Sequence, residues 1–304
     1  MYVKFKALKC WKQLNQCTEI KLELKGLNFG INSWLFSGLV VEDILPRVAS
    51  LGYGGVEIPG FPMEFSLQRR LKIKSLLTSH KIEIITVSVG VAFANKSLGL
   101  DLCSGNKSVR EKTVEYVKDC IDFAADMNAG IVYVCTVTQP EVSIPVKKAW
   151  EWVAESLRIC TDYAEGKNIK LALESFPFGL INTVDATVKI VNQVKLSNLG
   201  ILIDTGHLNI TREDLAASVK KAKKFLVHVH INNNDGIHDL HYPPYNGTLK
   251  KDDFFSFTNA LQQINYQGYY SFEIITAPDP FDAAAKSMRF FEDLTSGYYS
   301  VHPN

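Results

Sequence analysis

From residue 27 onward, short apolar runs rich in β-branched residues alternate with longer segments whose apolar residues recur at helical spacing. The apolar runs predict eight strands, at residues 27–32, 55–58, 82–89, 131–135, 169–174, 199–204, 226–231 and 269–274. Most of these runs are apolar almost without interruption, which is typical of strands in a parallel sheet that is covered on both faces.

A helix is predicted at residues 108–127, where Ser108 and Glu111 have the spacing of a capping box at its start. Thr211 and Asp214 have the same kind of spacing after the sixth strand. Both pairs predict that a hydroxyl-bearing residue begins the helix that follows.

Eight strand–helix repeats predict an α/β fold, a closed (β/α)₈ TIM barrel that forms a single domain over residues 27–304. An open doubly wound sheet is the alternative, and it would need a glycine-rich phosphate loop after its first strand. The first strand is instead followed by SWLFSGLV. Residues 1–26 form an N-terminal extension that could cover the barrel floor, pair with a second subunit in a homo-oligomer, or be poorly ordered.

Four successive strands end in side chains that can bind a metal ion. The fifth ends at Glu174, the sixth at Asp204, the seventh carries His230, and the eighth ends with Glu273. In a TIM barrel the residue at the end of a strand points to the catalytic face. Three carboxylates buried together without a cation would resist joint ionisation. We therefore predict a site for a hard or borderline divalent ion.

His228 lies two residues before His230 and therefore shares its face of the strand. Because His230 is nearer the end of the strand, we take it as the ligand and His228 as a core histidine or a partner behind the site. Glu57 ends the second strand and is a candidate for contact with substrate, with a structural role as the alternative.

A second polar cluster follows the sixth and seventh strands. His207 stands three residues after Asp204, and the long loop NNNDGIHDLHYPPYNG carries Asp239 and His241. Long loops in compact domains are often functional. These three residues could bind a second ion, hold polar groups of a substrate, or hydrogen-bond only within the loop.

Aromatic residues follow the first and third strands. Trp34, Phe36 and Phe93 are candidates for an apolar wall of the site.

The composition argues against several classes of protein. The net charge of +1 leaves no basic surplus for the phosphates of nucleic acid. No apolar run is long enough for a membrane span, and the N-terminus lacks the apolar stretch of a secretory signal. The six cysteines have neither metal-site nor disulfide spacing, so we expect buried free thiols and a cytoplasmic protein.

Several motifs resemble the xylose isomerase-like TIM-barrel superfamily, which holds sugar phosphate isomerases and epimerases and is related to endonuclease IV. The motifs are GYGGVEI, LALES, ILIDTGHLNI, HVHINNNDGIHDLH with NGTLKKDDF, and GYYSFEI. The resemblance implies that Glu174, Asp204, His230 and Glu273 hold one ion, with Mn²⁺ first and Mg²⁺, Co²⁺ or Zn²⁺ as alternatives. It also implies that Glu174 and Glu273 exchange protons with a substrate.

The sequence departs from two branches of that superfamily. The endonuclease IV branch has histidines near the ends of strands three and four, where this chain has TVSVG and VCT. The ketose 3-epimerase branch often has Asn-Arg soon after the strand-five Glu and an Arg after the strand-seven His. This chain has SFPF and NNND there.

The resemblance and the strand-end residues together predict a metal-dependent isomerase or epimerase that acts on a sugar or a sugar phosphate through an enediolate. A dehydratase acting on a keto-polyol such as an inosose is the first alternative, and an endonuclease IV-like phosphodiesterase is the second. The expected partner is a small sugar or polyol rather than nucleic acid or a membrane.

Overall fold

The computed structural model describes residues 27–90, 93, 95–275 and 277–296, so the predicted extension of residues 1–26 lies outside the described residues. Eight parallel strands pair in chain order, and the eighth closes on the first. The prediction of a (β/α)₈ TIM barrel is therefore confirmed, and the open sheet is excluded. Within the described residues, no helix is both long and apolar enough to cross a membrane.

All eight predicted strands are present. They are β1 (Asn28–Asn32), β2 (Gly55–Pro59), β3 (Glu83–Ser88), β4 (Ile131–Cys135), β5 (Lys170–Glu174), β6 (Leu199–Asp204), β7 (Leu226–Ile231) and β8 (Tyr269–Phe272). Strand β8 ends two residues earlier than predicted, so Glu273 directly follows it.

The described α-helices cover the outside of the barrel or lie in its connections. They are α1 (Val41–Ser50), α2 (Leu67–His80), α3 (Lys107–Asp126), α4 (Val146–Glu165), α5 (Val184–Val194), α6 (Thr205–Thr211), α7 (Leu215–Ala222), α8 (Lys251–Gln263) and α9 (Pro280–Ser296). Short 3-10 helices occur at Ser33–Phe36, Pro62–Glu64 and Lys96–Leu98.

Both predicted capping boxes are wrong. Asn106 caps α3, because its side chain accepts a hydrogen bond from the N–H of Ser108 at 3.0 Å. Asp214 itself caps α7, since it accepts from Ala217, while Thr211 ends the preceding helix α6. The side chains of Asn and Asp cap helices about as effectively as those of Ser and Thr. The spacing of the hydroxyl-bearing residues alone therefore predicted the wrong first residue for both helices.

Alternation along the strands separates two environments. On β5, Leu171 and Leu173 pack in the apolar core between barrel and helices, whereas Ala172 and Glu174 occupy the alternate positions, on the other face. The same alternation holds on β7, where Val229 belongs to that core. Polar side chains therefore line the barrel interior and lead up to its carboxyl end.

The described cysteines, Cys103, Cys120, Cys135 and Cys160, are free and buried, which confirms the expectation for these four.

Candidate active site

The four predicted strand-end residues meet at the carboxyl end of the barrel. Asp204 pairs in register with His230 on the neighbouring strand, and Glu174 and Glu273 close the group from β5 and β8. One potential ligand atom from each residue lies within 4.8 Å of all the others. Each residue is at most 3% exposed. Strand register, rather than a local loop, thus holds these side chains together.

His230 stands at the centre of this group. Its Nδ1 atom lies 2.9 Å from Oε2 of Glu273, 3.3 Å from Oε1 of Glu174 and 3.9 Å from Oδ2 of Asp204. Nδ1 of His230 and Oε1 of Glu174 are buried without a hydrogen bond among the described residues. Buried polar atoms normally have a partner. Three carboxylates and an imidazole with unsatisfied atoms fit a divalent ion of the Mn²⁺, Mg²⁺, Co²⁺ or Zn²⁺ type.

The electrostatics of the group favour a bound cation. Burial raises the pKa of Glu174, although His207 and His230 act against that rise. Burial would raise the pKa of Glu273 too, but His230 and His241 hold it below its ordinary value. Burial lowers the pKa of His230, and the carboxylates of Glu273 and Glu57 reverse this and raise it well above its usual range. Without a metal, protonated histidine is the cation that balances these carboxylates.

Glu57 lies behind His230 rather than in the substrate pocket. Its Oε2 accepts hydrogen bonds from Nε2 of His230 at 3.1 Å and from Oγ1 of Thr86 at 2.6 Å. Its Oε1 accepts from Nε2 of His228 at 2.9 Å and from the hydroxyl of Ser271. Although Glu57, His228 and His230 offer atoms close enough for a metal, four donors already surround the Glu57 carboxylate. Glu57 therefore orients the imidazole of His230, and His228 is a buried partner of Glu57, one of the two readings that the sequence left open.

Asp204 is fixed by groups on both sides. Its Oδ1 accepts from the N–H of His207 at 2.8 Å, which caps helix α6, and its Oδ2 accepts from the Asn232 amide. A Cβ at Gly206 would come within 1.9 Å of Asn232 Oδ1, so only glycine lets that amide approach. Asn232 was not predicted as a site residue, although its position two residues after His230 places it on the same face.

The second predicted cluster also forms. Oδ1 of Asp239 lies 2.9 Å from Nε2 of His241 and 3.3 Å from Nε2 of His207. The opposite ring nitrogens face backbone carbonyls, with His207 Nδ1 at 3.0 Å from Ser175 O and His241 Nδ1 at 3.3 Å from Glu273 O. Since a carbonyl only accepts, each Nδ1 carries the hydrogen. The neutral form of each ring therefore directs an Nε2 lone pair toward Asp239.

The loop that carries Asp239 and His241 is built around two buried asparagines. Asn233 donates to the carbonyls of Pro244 and Leu249 at 3.0 Å each and accepts from the Leu249 N–H. Asn234 donates to the carbonyl of Gly206, which ties the loop to helix α6. The asparagines that stand where the epimerase pattern has an arginine therefore hold the loop in place.

A cavity of about 380 Å³ opens above the four strand-end residues. Glu174, Glu273 and the His207–Asp239–His241 cluster form its polar side. Its other walls come from apolar, aromatic or small polar side chains and one lysine: Trp34, Phe93, Lys96, Tyr133, Cys135, Val137, Thr138, Phe176 and Ile275, with Gly90.

Two of the three predicted wall residues, Trp34 and Phe93, line this cavity. Phe36 instead packs against Phe281 in the core, with ring centroids 4.6 Å apart, because the 3-10 helix after β1 turns its side chain inward.

Two further residues, which the sequence analysis missed, contact Glu273. Asn32 at the end of β1 and Tyr133 inside β4 both donate to its Oε1. The strand-end rule could have found Asn32. Nothing in the sequence marked Tyr133, which lies one layer deeper in an apolar strand.

Comparison with known proteins agrees with this architecture. The sequence model described as xylose isomerase-like TIM barrel matches residues 45–294. An uncharacterised protein of Methanocaldococcus jannaschii is 27% identical over 81% of this chain and 83% of its own length. The fructoselysine 3-epimerase of Shigella flexneri is 24% identical over 78% of this chain and 86% of its own length. A crystal structure of a D-tagatose 3-epimerase-like protein superimposes with a TM-score of 0.76 at 26% identity, and covers 89% of this chain and 97% of that one.

Proposed function

The chain belongs to the xylose isomerase-like TIM-barrel family, and we propose that it is a divalent-metal-dependent epimerase that acts on a keto sugar or a derivative of one. Glu174, Asp204, His230 and Glu273 would hold the ion. Glu174 and Glu273 would also exchange protons with the substrate. The observation that supports this most is the convergence of these four buried side chains with two orphaned polar atoms, Glu174 Oε1 and His230 Nδ1.

A bound divalent ion would supply Lewis-acid stabilisation of negative charge on the oxygens of the substrate. The chain supplies the proton transfer. Glu174 and Glu273 reach the cavity from strands three steps apart around the barrel wall, so they can flank a bound carbon atom. One carboxylate removes a proton next to a carbonyl, which leaves an enediolate, and the other returns a proton to the opposite face of the same carbon.

The two carboxylates have different surroundings in the metal-free chain. Burial raises the pKa of Glu174, whereas at Glu273 the effect of burial is outweighed by His230 and His241, which lower its pKa. Return of the proton to an adjacent carbon would give aldose–ketose isomerisation, and loss of a hydroxyl would give dehydration. We favour epimerisation because the fructoselysine 3-epimerase relative is an epimerase.

The His207–Asp239–His241 cluster has two candidate roles. It can hold a second ion through three atoms, since both neutral rings direct Nε2 at Asp239 Oδ1. It can also hold a substrate hydroxyl, because it forms one side of the same cavity. Strands three and four bring Ser88 and Cys135 to their ends instead of histidines, so the donors expected for an endonuclease IV-like phosphodiesterase are not provided there.

Proton NMR in D₂O tests the proposal. The purified protein would be loaded with Mn²⁺, incubated with free ketoses, keto-glycosides, phosphorylated ketoses and inososes, and freed of metal before the spectra are recorded. We expect deuterium at a carbon next to the carbonyl and a second epimer. Loss of water without an epimer would establish a dehydratase, and no exchange with any compound would contradict enediolate chemistry.

The Glu174→Gln variant tests whether the carboxylate of Glu174 transfers a proton. Glu155→Gln, on the exposed face of α4, is its matched control. We expect the first variant to lose exchange and the second to keep it. Full activity in Glu174→Gln would show that this carboxylate does not transfer the proton.

A further inference from the structure

The two carboxylates that face the cavity are held in different ways. Glu273 Oε1 accepts hydrogen bonds from Asn32 Nδ2 and from Tyr133 OH, both at 3.0 Å. Its other oxygen, Oε2, faces His230 Nδ1 at 2.9 Å. Oε1 of Glu174, in contrast, is buried with no hydrogen bond among the described residues. Glu273 is therefore fixed at one oxygen by two neutral donors, whereas Oε1 of Glu174 has only the imidazoles of His230 and His207 nearby, at 3.3 and 3.5 Å, among the described residues.

Tyr133 is itself held on two sides. Its hydroxyl accepts a hydrogen bond from Ser88 Oγ at 2.5 Å, so the lone pair that faces Ser88 is occupied and the phenolic hydrogen points to Glu273. Its ring stands edge-on to His230, with centroids 5.0 Å apart and planes at 79°. The side chain is 2% exposed, so its hydroxyl has little access to water.

Asn32 joins Glu273 to the cavity wall. Its Nδ2 donates to Glu273, and its Oδ1 accepts from the N–H of Trp34, which caps the 3-10 helix that carries that cavity-lining indole. The Asn32 amide thus holds Glu273 through its nitrogen and the segment of Trp34 through its oxygen. The Tyr133 hydroxyl bonds to Ser88 and Glu273 and, among the described residues, not to the segment that carries Trp34, which makes Tyr133 the cleaner residue to test.

We propose that Tyr133 is a positioning residue that, with Asn32, fixes the carboxylate of Glu273 and turns its Oε2 toward His230 and the proposed ion. This inference rests on the proposed metal centre. Hydrogen-bonded partners behind a metal ligand typically change metal affinity or activity by about 10–100-fold when they are removed. The contacts of Tyr133 with both Glu273 and His230 place it in that role.

A double-mutant cycle on metal affinity tests whether Tyr133 acts through Glu273. The probe is Co²⁺ alone, titrated into the full-length protein and followed by its visible absorption. We expect Tyr133→Phe to weaken Co²⁺ binding by about tenfold and to alter the absorption spectrum. In the Glu273→Gln background, the same substitution should change affinity by less than about twofold, because coupled residues are not additive.

Tyr53→Phe is the matched control. Tyr53 is a buried tyrosine whose hydroxyl donates to the carbonyl of Ala284 at 3.0 Å, away from the site. The Tyr53→Phe variant should lose as much thermal stability as Tyr133→Phe does. Its Co²⁺ absorption spectrum, its affinity for Co²⁺ and its turnover should stay unchanged. Ser88→Ala removes the other hydrogen bond of the Tyr133 phenol, and we expect it to reproduce the Tyr133→Phe spectrum in weaker form.

Steady-state kinetics separates positioning from substrate contact. Because Tyr133 also lines the cavity, a direct contact with substrate would raise KM when its hydroxyl is removed. We expect kcat to fall by about 10–100-fold with KM within about threefold of the unchanged protein. The positioning role would be wrong if Tyr133→Phe raised KM and left kcat unchanged. It would also be wrong if Tyr133→Phe weakened Co²⁺ binding equally in the unchanged protein and in Glu273→Gln. Neither result would contradict the proposed metal centre. No Co²⁺ binding by the unchanged protein would overturn the metal centre itself.

Discussion

Glu57 accepts a hydrogen bond from Nε2 of His230 at 3.1 Å, on the edge of the imidazole that faces away from Glu174, Asp204 and Glu273. The bond fixes the hydrogen on Nε2 and leaves Nδ1 directed at Glu174, Asp204 and Glu273. A carboxylate behind a histidine ligand both orients the ring and raises its basicity. Glu57 is therefore part of the candidate centre although it does not line the cavity.

Replacing Glu57 with Gln should weaken metal binding by about 10–100-fold. The amide oxygen can still accept, but its NH₂ group would face donors that now bond to a carboxylate, so the orientation of His230 would no longer be fixed. Isothermal titration with Mn²⁺ measures the effect. Glu64→Gln, on the exposed 3-10 helix that follows β2, is the control and should bind as the unchanged protein does. If the unchanged protein, Glu57→Gln and Glu64→Gln all bound Mn²⁺ with equal affinity, Glu57 would contribute to packing inside the barrel but not to metal binding.

The stability of the metal-free protein should fall above neutral pH. The surrounding carboxylates raise the pKa of His207 to about 10 and that of His241 to about 9, although burial acts to lower both. A histidine whose folded-state pKa exceeds its unfolded value of about 6.5 stabilises the fold fully below that pH, and the stabilisation is lost as pH rises through the folded pKa. We expect the Tm of the metal-free protein to fall between about pH 6.5 and pH 10.

Added Mn²⁺ should remove much of this fall, because an ion that binds only the folded protein replaces the lost positive charge and binds better as the histidines lose their protons. Calorimetry from pH 6 to pH 10, with EDTA and with Mn²⁺, measures both curves. Parallel curves with and without Mn²⁺ would contradict the idea that protonated histidines stand in for a metal.

Replacing Asp239 with Asn should change the metal content of the protein. Asp239 Oδ1 is the only carboxylate atom in its three-residue group of potential ligands, and the pKa of Asp239 is held low by His207 and His241, although burial would raise it. We expect elemental analysis of protein saturated with Zn²⁺ to show two ions in the unchanged chain and one in the variant. A single ion in both, with a raised KM in the variant, would assign the cluster to substrate binding instead.

Asn233→Ala should destabilise the fold and loosen the loop that carries Asp239 and His241. Asn233 is fully buried, and its side chain bonds to the backbone at Pro244 and Leu249, which would be left without partners. Unpaired buried groups cost about 1–3 kcal/mol each, so we expect a loss of at least about 2 kcal/mol in the free energy of unfolding. Urea denaturation measures it.

Asn192→Ala is the control for that experiment, because Asn192 is exposed and its side chain, among the described residues, donates to the Val188 carbonyl of its own helix. A stability loss in Asn233→Ala no larger than that of the control would mean that other contacts hold the loop.

Much of the fold, and the clustering of the four candidate ligands, could be predicted from the sequence, because in a TIM barrel the position of a residue at a strand end places it at the carboxyl end of the barrel. The apolar runs fixed eight strands, and the residues at the ends of β5 and β6 point where a TIM barrel places its chemistry. Residues one layer deeper were harder to assign. Glu57 looked like a pocket residue, yet closure of the barrel places it beside His228 and His230 across the interior.

Tyr133 shows why the rest of the site could not be predicted. It lies within an apolar strand and touches Glu273, which follows 140 residues later. Its role depends on which strands face each other across the closed barrel, and on the Ser88 hydroxyl that directs the phenol. Periodicity reports which face of a strand a residue occupies, but not the partner across the interior.

Anomalous diffraction from crystals soaked in Mn²⁺ tests the central claim most directly. We expect a peak among Glu174, Asp204, His230 and Glu273, with ligand distances of about 2.0–2.3 Å, and no peak there in Asp204→Asn crystals treated in the same way. A Mn²⁺ peak that appears only elsewhere, or an empty site in the unchanged protein at saturating Mn²⁺, would contradict the assignment of these four residues as the metal centre.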